Sequence, residues 1–460
     1  LAQTKVIVLD DDPTGSQTVH GCLLLMQWDT ATLREGLDDA APLFFVLTNT
    51  RALPAARAAD VTRAVCRNLK QALADWNEAR AARQGRRGGG FAGRELHPIV
   101  VSRSDSTLRG HYPVETDVIA QELGPFDAHF LVPAFFEGGR VTRDSVHYLR
   151  ADGREIPVHE TEFARDSVFG YRTSYLPDYV AEKTKGRIPA AAVVRLTLAD
   201  IRAGVAEKLL SLRDNACVVV DAETQADLDR FTDDVLRAAA AGKRFLFRSA
   251  ASLLTSFARL PPQPVAPEAM SQCVRSGHAG AVIVGSHVPK STRQLQALLK
   301  EPDIVPIEVD VAHLPHDAGA LLAAVVAGAE RAHRAGKTPV IYTSRTERTF
   351  ADHAARLAFG EHVSAFLMDV VRNLPRTLGW LVSKGGITSN DVLSTGLGLR
   401  TARLLGQILP GVSVVRCPAD HARYSDMPVV IFPGNVGDDQ ALATVYRRLS
   451  AVGAKPVAPN

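Results

Sequence analysis

Short apolar runs rich in Val, Ile and Leu alternate with longer alanine-rich stretches along nearly the whole chain, and few folds can bury that order of segments. The runs predict strands at Lys5–Leu9, Gly21–Met26, Leu43–Leu47, Ile99–Val101, His129–Val132, Val193–Leu196, Cys217–Asp221 and Arg244–Phe247. They continue at Ala281–Gly285, Ile304–Val309, Pro339–Tyr342, Trp380–Ser383, Val412–Cys417 and Val429–Phe432. Helices are expected at Ala56–Arg80, Thr224–Ala241, Ser291–Leu299, Ala318–Ala335, Glu361–Asn373 and Gly398–Ile408. This alternation points to an α/β fold with mainly parallel sheets, because parallel neighbours need a crossover long enough to hold a helix.

At 460 residues the chain is too long for one ordinary core. The proline-rich Leu260-Pro261-Pro262-Gln263-Pro264-Val265-Ala266-Pro267 reads as a stiff boundary. It sets an N-terminal domain at 1–260, a linker at 261–274 and a C-terminal domain at 275–460. The expected architecture is two α/β/α lobes with the active site in the cleft between them. Arg83–Glu95, crowded with Gly and Arg, reads as a flexible surface loop. A net charge of +3 argues against nucleic acid or a membrane surface as partner. No apolar run reaches the roughly 18 residues of a membrane span. The first strand starts too early to leave room for a signal peptide, so a cytoplasmic protein is expected. The five cysteines are scattered without a Cys-x-x-Cys pair and read as small buried hydrophobes.

The chemistry gathers at strand ends, where ligands of open α/β folds bind. Val6-Ile7-Val8-Leu9 reads as a strand buried on both faces, and it runs into Asp10, Asp11 and Asp12 before Pro13-Thr14-Gly15 ends it. Three adjacent carboxylates repel one another, so their clustering asks for a role beyond folding. Solvated acids in an Asx-type turn are the plain alternative.

A second strand end carries Ser102-Arg103-Ser104-Asp105-Ser106-Thr107-Leu108-Arg109-Gly110-His111. Arginine forks match carboxylates, and the hydroxyls suit a polyhydroxylated ligand. Asp105 or Ser106 could also cap a following turn. A third strand end, Val132-Pro133-Ala134-Phe135-Phe136-Glu137-Gly138-Gly139-Arg140-Val141-Thr142, offers a Gly pair for close backbone approach to a ligand.

In the C-terminal half, Ser383-Lys384-Gly385-Gly386-Ile387-Thr388-Ser389 joins a strand to a helix, a junction that directs backbone N–H groups at an anion. Thr388 or Ser389 would cap that helix. No Walker loop is present, and Gly396-Leu397-Gly398 lacks the third glycine of a dinucleotide fingerprint. Gly285-Ser286-His287 and Gly434-Asn435-Val436-Gly437 end two further strands, and together the three suggest a nucleotide cradle.

As an ordered set, these segments resemble the four-carbon acid sugar kinase family. The matching residues are Asp11-Asp12-x-Thr14-Gly15, Asp105-Ser106-Thr107-Leu108-Arg109-Gly110, Pro133-Ala134-Phe135 with Gly139-Arg140-x-Thr142, and Glu162-x-x-x-Asp166. Gly285-Ser286, Gly385-Gly386-x-Thr388-Ser389 and Gly434-Asn435-x-Gly437 continue the set, from about residue 5 to about 445. The chain departs from many relatives at Ser102-Arg103, where they carry two lysines, at Ser16, where they carry Ala, and at Val288, where they carry Ser.

The resemblance implies that a sugar acid (threonate, erythronate or an oxo-tetronate) binds the N-terminal lobe and ATP with Mg²⁺ the C-terminal lobe. The terminal hydroxyl would become a 4-phosphate. Asp12 or Asp105 would orient and deprotonate that hydroxyl. Asp11, Ser106, Arg109, Gly139 and Arg140, with Arg103 as a further candidate, would hold the acid. Ser286, Gly385, Gly386, Ile387, Thr388, Ser389, Gly434 and Asn435 would hold the nucleotide. No protein metal ligands are expected, and a homo-oligomer is compatible with the sequence. Two rival readings are a metal-dependent phosphoesterase using Asp10, Asp11, Asp12 and His20, and a non-catalytic nucleotide-binding effector.

Overall fold

The structure is a computed structural model that describes residues 4–85, 98–151, 153–275, 278–345, 353–434 and 436–450. Most of the Gly/Arg-rich loop and Asn435 lie outside the described residues. The chain divides into two compact units, Leu1–Pro261 and Pro262–Asn460.

In the first unit the strands are β1 Val6–Asp10, β2 Leu23–Leu25, β3 Leu43–Leu47, β4 Ile99–Arg103, β5 Ala128–Val132, β6 Arg140–Arg143, β7 Val146–Ala151, β8 Arg154–Pro157, β9 Val194–Leu196, β10 Ala216–Val220 and β11 Phe245–Ser249. Eight of them form a parallel sheet in the order β2-β3-β1-β4-β11-β5-β10-β9. β6, β7 and β8 make a separate antiparallel sheet. Every residue of β1 is buried, as its unbroken apolar run requires. Ile7 and Leu9 pack with Leu33, Leu37, Val65, Cys66 and Leu69 from the helices Thr30–Asp38 and Ala55–Gly85. On β5 and β11, Phe130 and Phe247 stack and meet Phe231 and Phe257 of the helices Gln225–Ala240 and Ala251–Ala258. The sheet is therefore covered on both sides.

In the second unit, β12 Ala281–Val284, β13 Ile304–Val309, β14 Thr338–Thr343, β15 Leu381–Lys384, β16 Thr401–Leu409, β17 Val412–Arg416 and β18 Pro428–Phe432 run in the order β13-β14-β12-β15-β18-β17-β16. The first five in that order are parallel, and β17 and β16 close the series antiparallel. Its core joins Trp380, Val382, Val430 and Phe432 to Leu295, Leu442 and Tyr446. Pro267–Cys273 forms a 3₁₀ turn whose Met270 and Cys273 belong to this core, so the later part of the 261–274 linker is packed.

One expected helix is a strand. Gly398–Ile408 is the stretch expected as a helix, but Thr401–Leu409 alternates strictly between buried and half-buried residues and pairs with β17 across the two-residue turn Pro410-Gly411. Ala402, Leu404, Gly406 and Ile408 face inward, a period of two that the helix-forming leucines and Ala402 obscured. All five cysteines are buried.

Candidate functional site

The three aspartates after β1 do not share one partner. Asp10 is fully buried at the end of the strand, and its Oδ1 accepts from Arg103 Nη1 at 3.3 Å. Its Oδ2 has no hydrogen-bond partner among the described residues. Burial pushes the Asp10 carboxyl up to about 7, with Asp11 and Asp12 adding to the effect and Arg103 and Arg51 opposing it. Gly15 folds directly over this pair: a Cβ there would lie 2.2 Å from Asp10 Oδ2 and 2.4 Å from Arg103 Nη1.

Asp11 and Asp12 turn instead to Arg51, in the 3₁₀ turn Thr50–Ala52 that follows β3. Arg51 Nη2 donates to Asp11 Oδ1 at 2.5 Å and Nε to Oδ2 at 3.2 Å, while Nη1 donates to Asp12 Oδ2 at 3.3 Å and lies 4.0 Å from Asp105 Oδ1. Burial acts to raise the Asp11 carboxyl, but Arg51, Arg248 and Arg103 prevail and hold it below the usual carboxylate range. Asp12 Oδ1 accepts from the Thr14 amide at 2.8 Å, the Asx turn that the Asp-x-Thr spacing allows.

β4 places the next group. Arg103 is its last residue, and the chain turns through Ser104 and Asp105 toward Gly110. Asp105 Oδ2 accepts from Arg109 Nε at 2.9 Å, from the Thr107 amide at 3.3 Å and from the Thr107 hydroxyl. Burial works to raise the Asp105 carboxyl, yet Arg51 and Arg109 hold it far below the ordinary range. Asp105 thus caps a local turn and belongs to the ionic cluster at once.

Three successive carbonyls of this turn are held from behind. His147 Nε2 lies 2.8 Å from Ser106 O, Tyr171 Oη donates to Thr107 O at 2.7 Å, and Tyr179 Oη donates to Leu108 O at 2.8 Å. Burial lowers the His147 imidazole to about 4, so it sits neutral, with Nδ1 2.9 Å from Thr142 Oγ1. Ser104 Oγ donates to Asp11 Oδ2 and accepts from Arg248 Nη2 at 2.7 Å, and Arg248 Nη1 pairs with buried Glu115 at 2.6 Å. Gly110, at φ +118°, must be glycine: a Cβ would meet Ser104 Oγ at 2.4 Å and Arg248 Nη2 at 2.6 Å.

Arg109 and Arg140 lie over the ring of Phe163, with guanidinium carbons 4.9 Å and 6.0 Å from its centroid. Arg109 also lies 3.8 Å from Asp166. Arg140 makes no ion pair among the described residues; it donates only to Gly138 O, and its buried Nε has no partner. Gly139 does not open the backbone to a ligand, as the Gly pair suggested. A Cβ there would lie 2.3 Å from Arg150 O, so the close approach is to the neighbouring β7. Ser106 is buried, and its carbonyl takes the His147 contact.

The sites proposed for a metal do not converge. Asp10, Asp11 and Asp12 are drawn to arginines, and His20 Nε2 lies 2.7 Å from Pro261 O. No group of three His, Cys, Asp or Glu among the described residues could hold an ion.

In the second unit a cavity of about 410 Å³ opens at the carboxyl ends of β12, β14 and β15. Gly285, Ser286, Gly385, Gly386, Ile387 and Thr388 line one side, and Val311, Phe359, Val363 and Leu367 line the apolar side. The size falls within the roughly 300–1,000 Å³ typical of small-molecule sites. Gly285 is needed for closeness, since a Cβ would lie 2.3 Å from Thr388 Oγ1. Gly385, at φ +120°, turns the chain into the short helix Gly386–Asp391, and it rather than Thr388 or Ser389 occupies the N-cap. Ser389 is buried and donates to Ser383 O at 3.1 Å, away from the cavity. Gly434 approaches Ser286, and its carbonyl accepts from Ser291 Oγ at 3.3 Å. Ile387, at the cavity's edge, is 65% exposed.

Sequence reasoning missed Arg51, Phe163, Arg248, His147, Tyr171 and Tyr179 in the first unit, and Arg345 and Lys384 in the second. Arg51 could have been found: Thr48-Asn49-Thr50-Arg51 follows the apolar run of β3 just as the acids follow β1. Arg345, whose Nη1 donates to Ser286 O at 2.7 Å, follows β14 in the same way.

A family described as a sugar-binding N-terminal domain matches residues 6–257, and one described as a nucleotide-binding C-terminal domain matches residues 281–442. The chain is 31% identical over 229 residues to the D-erythronate kinase of Heliobacterium modesticaldum, a match covering 49% of this chain and 47% of that one. It thus aligns with about half the length of that relative. Two solved structures share the fold: a Salmonella typhimurium protein described provisionally as a tRNA synthase, at TM-score 0.68, 18% identity and coverage of 97% of this chain and 98% of that one; and a Haemophilus influenzae protein, at TM-score 0.63, 16% identity and coverage of 96% and 100%.

Proposed function

The chain belongs to the four-carbon acid sugar kinase family, and from that premise we propose that it transfers the terminal phosphate of ATP to the terminal hydroxyl of a four-carbon sugar acid such as erythronate, threonate or an oxo-tetronate. The observation that carries this reading is Arg140, a largely buried guanidinium without a carboxylate partner among the described residues, beside Arg109 and the ionised Asp105. Burial lowers the Arg140 guanidinium and Arg109 adds to that, with Asp105 and Glu162 pulling the other way from outside ion-pair distance, so an incoming carboxylate would supply a direct counter-charge.

Phosphoryl transfer needs alignment, charge neutralisation and an oriented hydroxyl more than covalent help. We assign the proton acceptor to Asp12. Among the described residues its Oδ2 has only the 3.3 Å contact with Arg51, whereas Asp105 is gripped by Arg109 and Thr107 and held too acidic to take a proton readily. Asp105 then orients Arg109 and the sugar hydroxyls, with Asp11 and Ser104 bracing Arg51 behind them. Ser106, Arg103 and Gly139 serve as the frame of this pocket. ATP, arriving as its Mg²⁺ complex, would place its base in the apolar part of the second cavity and its phosphates along Gly285-Ser286, Gly385-Gly386 and Gly434.

A coupled ADP-release assay with a panel of three- and four-carbon sugar acids tests this. Asp12→Asn should lower kcat by roughly 100- to 10,000-fold with KM little changed, whereas Arg140→Ala should chiefly raise KM for the acid. Turnover that is independent of ATP, or unaffected by Asp12→Asn, would sink the reading.

A further inference from the structure

Lys384 ends β15 and is fully buried directly behind Gly385-Gly386. Its ammonium donates to Pro433 O at 2.5 Å and Gly434 O at 3.2 Å, and lies 4.0 Å from the centroid of the Phe432 ring. No acidic side chain pairs with it among the described residues. Burying an ammonium against dipoles alone is costly, and a strand end that needed only filling would be served by Leu or Met. Two carbonyls and an aromatic face offset part of the cost. The remainder is a positive charge in a low-dielectric place, close to the glycines that line the second cavity.

We propose that Lys384 is a positioning residue for nucleotide phosphates: it fixes the Pro433–Gly434 backbone and sets an uncompensated positive charge behind the Gly385–Gly386 cradle. The inference rests on the nucleotide reading of that cavity. Lys384 does not line the cavity, so it acts through the backbone and through its field. Ser291 works alongside it, donating to Gly434 O at 3.3 Å and to Ser286 Oγ at 3.1 Å.

A distinctive consequence is proton uptake. Burial lowers the Lys384 ammonium to about 7, and Lys290 of the helix Pro289–Leu298, also positive, pushes it the same way. The neighbouring strands β12 and β18 present only apolar residues and a proline to it, and the hydroxyls of the adjoining turn, Ser286 and Ser291, bond to each other and are uncharged. A polyphosphate arriving nearby favours the charged amine, so binding draws a proton from solvent, and affinity weakens as pH rises past neutrality.

The test is calorimetric titration of the full chain at about pH 8, where a nucleotide is fully ionised and the amine mostly neutral. ADP and uncharged adenosine are each titrated in two buffers of different ionisation enthalpy, into wild type, Lys384→Met and Lys384→Arg. Wild type should take up a fraction of a proton with ADP and none with adenosine. Lys384→Met should bind adenosine as before, but ADP roughly 10- to 100-fold more weakly and without proton uptake. Lys384→Arg, always charged, should bind ADP without uptake, which keeps the test decisive should the Met variant misfold. Unchanged ADP affinity in Lys384→Met, or unchanged uptake in Lys384→Arg, overturns this inference alone. Failure of wild type to bind either probe overturns the nucleotide reading along with it.

Discussion

Arg51 is the residue on which the acidic cluster depends. It meets Asp11 with two hydrogen bonds and reaches Asp12 and Asp105 with its remaining nitrogen. Burial alone would weaken its charge, but the three aspartates hold it protonated well above the ordinary range. Arg51→Ala would leave Asp11 buried and under-compensated, and should cost about 3–5 kcal/mol of stability in a urea titration. Arg51→Lys should recover stability better than turnover, because an ammonium cannot reproduce the fork. Asp10 makes the opposite demand. Its carboxyl titrates near 7 in the folded chain and near the ordinary 3.9 or so when unfolded. Between those values the folded chain keeps a proton that the unfolded chain has lost. Stability therefore falls as pH rises through that window, and levels off above it. Asp11, held low, contributes the reverse: its stabilisation is present above about pH 4 and is lost as pH drops through its folded value. Urea midpoints at about pH 5 and 8 should show a fall of roughly 3 kcal/mol from Asp10 that is absent in Asp10→Asn.

At the scale of elements, strand ends were legible because a buried strand must be an apolar run, and the polar residues that interrupt it mark where it leaves the core. Asp12, Asp105 and Arg140 were visible for that reason. Their partners were not. Arg51, Arg248 and Phe163 come from separate segments and meet the cluster only through the strand order, in which β11 enters between β4 and β5. Local pattern misread Thr401–Leu409, whose leucines and Ala402 favour a helix while its burial has the period of a strand. Nor could sequence show that the 105–110 turn is held by His147, Tyr171 and Tyr179. Tyr171→Phe and Tyr179→Phe each strip the donor from a carbonyl of that turn, and each should cost about 1–3 kcal/mol. The displaced turn should also raise KM for the sugar acid more than KM for ATP, which steady-state kinetics with each substrate varied would separate.

Across the whole molecule, the α/β class was dictated by alternation, whereas strand order and the antiparallel β17 and β16 were set by long-range pairing that no local window contains. Each unit carries its own buried core. Residues 1–261 and 262–460 expressed separately should therefore each melt cooperatively in a calorimeter, and the second should still bind adenosine. A second unit that is molten by itself would contradict that independence. On the proposed reading, the first unit also separates what it recognises from what holds it in shape. The 105–110 turn is gripped through the carbonyls of Ser106, Thr107 and Leu108, main-chain atoms that every amino acid carries. Replacing Arg109 removes its 2.9 Å bond to Asp105 but leaves those main-chain anchors in place. On that reading, a library varied at Arg109 should yield variants with altered taste for acids and a melting temperature lowered only by the lost contact with Asp105, so this turn is where such a protein can change its diet without relearning how to fold.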